Sequence, residues 1–170
     1  MRKLLSTTFL LGILAGCAGG PLSGSVHQMR VVFDPGEAKQ LLQPGRNTIK
    51  GNAFLRQTGG GVVTCAGATV YLVPATAYAK ERIAVLYGSS NFAGYDLRTR
   101  FNPDSPEYVS LVHTTRCDSQ GNFVFERVAD GEFFIRTVVT WRVGYDDQGG
   151  SLIHRVSVDG GQTVNAIMAR

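Results

Sequence analysis

A chain of 170 residues with 44% hydrophobic and 18% charged side chains has the composition of an ordinary globular protein and room for one folded domain behind a short leader. Its formal net charge of +4 is dispersed: Arg98, Arg100, Arg116, Arg127, Arg136, Arg142 and Arg155 are scattered along the sequence. Dispersed cations make a solvated face, not a nucleic-acid-binding stripe.

The leader is the most informative segment for location. Arg2-Lys3 precedes an apolar run from Leu4 to Leu14, and Leu14-Ala15-Gly16-Cys17 has the small residues a signal peptidase requires before a cysteine. The run is too short to span a bilayer as a helix. Residues 1–16 are therefore predicted to be a lipoprotein signal peptide. Cys17 is the predicted lipidation site, carrying several acyl chains, palmitate among them, since each buried methylene contributes about 0.8 kcal/mol and one chain holds only marginally. An unmodified cysteine in an ordinary secretory signal is the blander alternative. Ala18 occupies the position where an aspartate would argue for inner-membrane retention, so the outer membrane is favoured. Residues 17–25 are poor in apolar surface and read as a flexible lipid-anchored linker. An exported protein does not meet nucleic acid, which leaves as partners the membrane, through the anchor, and another protein of the envelope.

Residues 26–170 read as one domain. Val26 to Phe33 is a candidate strand stopped by Asp34-Pro35-Gly36, and Glu37 to Leu42 can make a helical turn. From Thr48 the pattern is β. Thr48–Leu55 and Val62–Cys65 are extended, with Gly59-Gly60-Gly61 between them. Then comes a half-buried strand with Ala68, Val70 and Leu72 on one face and Thr69, Tyr71 and Val73 on the other. Thr76 can cap a helix running to about Leu86, which Gly88 ends. Residues 75–107 form an inserted excursion, irregular after Gly88. Tyr108–Arg116, Asn122–Val128, Phe133–Trp141, Leu152–Val158 and Thr163–Met168 are further strands, with Asp118–Gly121, Asp130-Gly131, Tyr145–Gly150 and Asp159–Gly161 as turns. The predicted fold is an all-β, antiparallel Ig/transthyretin-like sandwich of about seven strands, with its core in 48–170 and one short helix in the inserted loop.

With Cys17 assigned to lipid, Cys65 and Cys117 remain. Two thiols in an exported domain are expected to be bridged, which closes a loop of about fifty residues and removes denatured-state entropy equivalent to about 4 kcal/mol. Two buried free thiols or a metal pair are the alternatives; no Cys-x-x-Cys or histidine at ligand spacing accompanies them.

Three stretches carry a family resemblance: Ile49-Lys50-Gly51-Asn52-Ala53, Ala66-Gly67-Ala68-Thr69-Val70-Tyr71-Leu72, and Asp118-Ser119-Gln120-Gly121-Asn122-Phe123-Val124-Phe125 followed by Gly131-Glu132-Phe133-Phe134-Ile135. Together they make the chain from Thr48 to Arg170 resemble the carboxypeptidase regulatory-like domain, a transthyretin-like (prealbumin-like) sandwich. The resemblance implies a fold, not a chemistry.

Enzymes on related sandwiches do not match residue by residue. Iron-dependent intradiol dioxygenases need two tyrosines and two histidines, whereas Phe133 stands where a tyrosine would and Leu152-Ile153-His154 supplies one histidine. Asn165 to Arg170 lacks the terminal signature of transthyretin-like hydrolases. Metallocarboxypeptidases bind zinc through a histidine and a glutamate three positions later, and here His27, His113 and His154 are followed at that distance by Arg30, Arg116 and Ser157. His113 beside Cys117 reads better as a strand histidine near a disulfide than as a base. Asp118 with Asn122, and Asp146 with Asp147, suit Asx turns better than weak calcium ligation.

No enzyme, cofactor or metal site is therefore expected. Tyr78, Tyr87, Phe92, Tyr95, Phe101 and Tyr108 gather around the excursion; the plainer expectation is that they cover the sandwich edge, and any that are exposed are candidates for a partner-binding loop. The expected function is a non-catalytic interaction or scaffold module. The alternative is a ligand- or glycan-binding domain, or one with weak enzymatic activity, using residues 75–107 as a lid. A concave pocket under the excursion with convergent polar groups would favour the second; an exposed apolar or aromatic patch would favour the first. The anchor has its own test: on cell fractionation the wild type is expected in the membrane fraction and Cys17→Ser in the soluble fraction. Wild-type protein that is soluble and unlipidated would contradict the leader reading.

Overall fold

Strict alternation of apolar side chains organises most of the domain into strands, because one face of each must leave water while the other stays polar. The computed structural model describes residues 25–94 and 99–170. The leader, Cys17, the linker up to residue 24, Tyr95 and Arg98 lie outside the described residues. In chain order the elements are β1 (Ser25–Gln28), α1 (Pro35–Leu41), β2 (Asn47–Arg56), β3 (Val62–Thr64), β4 (Thr69–Pro74), α2 (Ala77–Tyr87), β5 (Phe92–Gly94), β6 (Thr99–Asn102), α3 (Pro106–Ser110), β7 (His113–Arg116), β8 (Asn122–Val128), β9 (Gly131–Val143), β10 (Asp146–Val158) and β11 (Thr163–Ala169). No helix among them is long and apolar enough to cross a membrane.

The fold is an all-β sandwich. One sheet is antiparallel throughout, in the order β5-β10-β9-β4-β7. In the other, β2 is central: β11 lies parallel on one side, and β8 and β3 lie antiparallel along the other. Between the sheets, Ile49 from β2, Val70 and Leu72 from β4, Phe123 and Phe125 from β8, Phe133 and Ile135 from β9, Leu152 from β10 and Met168 from β11 form the core. Cys65 and Cys117 are disulfide-bonded at the edge of that core with their Cα atoms 5.8 Å apart, and their separation of 52 residues gives the closed loop its entropic effect of about 4 kcal/mol.

The excursion is more ordered than its composition predicts. Thr76 caps α2, its hydroxyl accepting from the Ala79 N–H at 3.1 Å. The helix then lies on the outside of the five-stranded sheet, where Ala79 and Tyr87 are buried against Val73, Phe134 and Ile153. A third layer thus covers a face that a simple sandwich would leave in water.

The chain before β2 straps this layer down. β1 pairs in parallel with β6, and the Glu81 carboxylate of α2 accepts from His27 Nε2 and from the N–H groups of Arg30 and Val31, each at 2.9 Å. Beneath the strap, Arg82 stacks over the rings of Phe101 and Tyr108 at 3.9 and 4.8 Å, contacts the Tyr78 hydroxyl and pairs with Asp104.

Four expectations are corrected in detail. The described strands number eleven, not about seven: β1 covers only the start of the strand expected over Val26–Phe33, and β5 and β6, of three and four residues, are too short for alternation to reveal. The stretch expected as one strand over Tyr108–Arg116 divides into α3 and β7, since Pro106 sits at the first turn of a short helix behind Ser105. Of the turn expected over Tyr145–Gly150, only Tyr145 is turn, with Gly144 before it, and Asp146–Gly150 is strand. Its glycines are there for contact: a Cβ on Gly149, whose φ is +102°, would lie 2.1 Å from the Val139 carbonyl oxygen, and one on Gly150 would lie 2.2 Å from the Ala93 carbonyl oxygen. The helices number three among the described residues: α1 lies where a helical turn was expected and α2 is the helix of the inserted loop, so α3 alone was not expected.

Phe125 is 5% exposed, so Phe125→Ala is expected to cost about 3–5 kcal/mol, measurable by chemical denaturation; an unchanged midpoint would show that its packing contributes little. The strap is expected to be acid-labile. Hydrogen bonds from the Arg30 N–H and the His27 ring hold the Glu81 carboxyl down at about 2, against an ordinary 4.5. Its contribution is complete above the ordinary value and is lost as pH falls through the lowered one. Amide exchange at Arg30 and Val31 should accelerate across that window while the sandwich stays protected, and Glu81→Gln should do the same at neutral pH. Uniform exchange behaviour across both regions would contradict the strap.

Candidate functional site

The outer face of the five-stranded sheet carries polar residues that α2 must accommodate. Alternation along β9 sends Phe133, Ile135 and Thr137 inward and Phe134, Arg136 and Val138 outward. Across the ladder, Arg136 faces Ile153 and Val138 faces Ser151, and Ser151 faces Ala93 on β5. At its last turn α2 brings Leu86 and Tyr87 over this face. Between helix and sheet lies a cavity of about 240 Å³, walled by Leu86, Ala93 and Val138 and lined by three polar side chains, Tyr87, Arg136 and Ser151.

Those three are joined in one hydrogen-bonded chain whose direction follows from donor and acceptor identity. The Thr137 carbonyl only accepts, so Ser151 Oγ, at 3.3 Å, donates to it. That uses the only serine proton, and the Tyr87 hydroxyl, at 2.6 Å, must therefore donate to Ser151. Tyr87 in turn accepts from Arg136 Nε at 3.3 Å. The guanidinium also lies 5.9 Å from the Tyr71 ring centroid, within cation–π range. A polar group in an apolar-walled, half-covered site is costly unless satisfied. Here the satisfied chain also holds two hydroxyls and one cation in fixed orientations.

The six aromatic candidates divide. Tyr87 lines the cavity. Tyr78, Phe101 and Tyr108 surround Arg82, with Phe33 edge-on to Tyr78 and Tyr108 at 5.2 and 5.7 Å. Burial pushes the Tyr108 phenol up to about 12, so it is neutral in any physiological setting. Phe92 packs against the sandwich core, with the Arg170 guanidinium 4.5 Å from its ring centre. Tyr95, like Cys17, lies outside the described residues.

His113 is paired in β7 opposite Leu72, and His154 lies in β10 opposite Ile135; neither lines the cavity. Asp118 forms a turn, accepting from the N–H groups of Gln120 and Asn122 and from the Asn122 side-chain amide. These bonds, the Asn122 amide foremost, hold its carboxyl below the usual carboxylate range. Asp147 pairs with Arg142 at 3.2 Å. Among the described residues no three His, Cys, Asp or Glu side chains converge as metal ligands would.

Sequence reading missed Arg136 and Ser151. The available signal was a cation between Phe134 and Val138 on the strand face opposite Phe133 and Ile135. A second concavity, on the outside of β2, β8 and β11, is edged by Lys50, Asn52, Asn122 and Asn165. It is shallower, and Asn52 is already spent on Gln120 and Asn122.

No family model and no curated protein matches the sequence. Among solved structures, a crystal structure from Pseudomonas aeruginosa described as "a putative carbohydrate binding protein" superposes with a TM-score of 0.66. It is 25% identical in sequence, and the match covers 81% of this chain and 97% of that one. The two chains share the sandwich along nearly the whole of the neighbour's length.

Proposed function

We propose that this chain is a non-catalytic ligand-binding module, held at the envelope by a lipid on Cys17, whose cavity under α2 receives one sugar-sized polar ligand. The observation that carries this reading is the oriented chain Arg136–Tyr87–Ser151 inside apolar walls. Saccharides combine hydroxyls that need fixed partners with C–H faces that need apolar contact, and small-molecule sites answer both with few polar groups set among many apolar ones. A cavity of about 240 Å³ lies just below the range of roughly 300–1,000 Å³ that drug-sized ligands occupy, which fits a single ring and not an extended oligomer. The neighbour's description points the same way, as does the resemblance to carboxypeptidase regulatory-like domains, which are appendages and not catalytic units. The scaffold reading called for an exposed apolar or aromatic patch, and three of the aromatics at the excursion do not supply it: Tyr78, Tyr87 and Phe101 are 2%, 6% and 8% exposed. One feature favours an additional protein contact: Tyr145 and Val143 stand exposed at the tip of the β9–β10 hairpin.

Titration of the mature protein, in a detergent without a sugar headgroup, against a panel of monosaccharides is expected to give saturable binding that perturbs amides of Tyr87, Arg136 and Ser151. Tyr87→Phe removes one donor and one acceptor; it should weaken binding about fivefold and cost roughly 1 kcal/mol of stability. No saturable binding to any sugar, or binding unaffected by Tyr87→Phe, would refute the cavity as the site.

A further inference from the structure

Resting on the ligand-binding reading above, we infer that the cavity selects a saccharide unit bearing a carboxylate, with Arg136 as the group that recognises it. Among the described residues Arg136 is the only charged side chain lining the cavity, and no carboxylate of theirs lines it. Its Nε–H is committed to Tyr87, but its remaining N–H groups meet no acceptor and no acidic partner among the described residues. The comparison with Arg82 on the same layer is direct. Both guanidinium groups lie against aromatic rings and touch a tyrosine hydroxyl, but Arg82 is closed by Asp104, whereas Arg136 meets no carboxylate among the described residues.

A half-buried guanidinium without a counter-charge keeps part of its desolvation cost unrecovered until an anion arrives. Arg136 is also pre-oriented: Tyr87 fixes Nε and the Tyr71 ring lies beside its plane, so less side-chain freedom is lost on pairing. The planar fork left over matches a carboxylate in bidentate fashion. The rest of the ring is provided for by Tyr87 and Ser151, each with an acceptor lone pair to spare for a sugar hydroxyl, and by Leu86 and Val138 for its C–H face.

The test compares glucuronic acid, glucuronic acid methyl ester, glucose and glucose 6-phosphate on the mature protein in the same detergent, by calorimetry or NMR titration. Glucuronic acid is expected to bind about tenfold or more tighter than glucose, the increment of one charge-assisted pair. The methyl ester should bind as glucose does, and Arg136→Gln should bring glucuronic acid and glucose within about twofold of each other. Equal binding of glucuronic acid and glucose would overturn the inference and leave the ligand-binding reading standing; binding of no sugar would end both. Preference for glucose 6-phosphate would overturn the carboxylate assignment. If Arg136→Gln does not fold, the acid and ester compared on the wild type decide the matter.

Discussion

The cavity under α2 depends on one constraint: the central strands of the five-stranded sheet are apolar on both faces. Phe133 and Ile135 of β9 fill the sandwich, and between them Phe134 points the other way. Val70 and Leu72 of β4 alternate in the same manner with Val73. A sheet with one apolar face is finished by a second sheet. With two, it needs another layer, and about 2–3 kcal/mol for each large side chain buried there favours recruiting it from the inserted segment. The helix α2 is that layer.

Covering the outer face creates a problem at Arg136 and Ser151, which share it with the apolar residues. Helix and sheet cannot close down completely over a guanidinium, and the structure resolves the conflict by leaving a cavity and placing Tyr87 to satisfy both side chains. The site is thus a by-product of layer packing, positioned by rigid elements on three sides. The disulfide, by contrast, joins the segments following β3 and β7 within the sandwich core, away from the cavity, and serves the scaffold alone.

How much was readable in the chain varies with how local the determining physics is. The two faces of β4, the cap at Thr76, the Asx turn at Asp118 and the pairing of Cys65 with Cys117 follow from period, side-chain chemistry and compartment, and the structure has them as expected. β5 and β6 follow from pairing with β10 and β1, which leaves no mark in a segment of Gly, Asn and Asp. Gly149 and Gly150 looked like turn residues because a turn and a close backbone approach ask for the same amino acid. The cavity was the least readable feature: Tyr87, Arg136 and Ser151 are far apart in sequence, and each alone is an ordinary residue of its element. The aromatic cluster is cover and not surface, because the guanidinium of Arg82 draws Tyr78, Phe101 and Tyr108 inward around itself.

The strap adds a mechanical side to this layout. Glu81, which grips the N-terminal segment through three donors, and Tyr87, which closes the cavity, belong to the same short helix. Tension applied along the segment before β2 is therefore borne by the roof of the cavity before it reaches the sandwich, and a pull strong enough to lift α2 would open the site while the disulfide-bonded sheets behind it stayed intact.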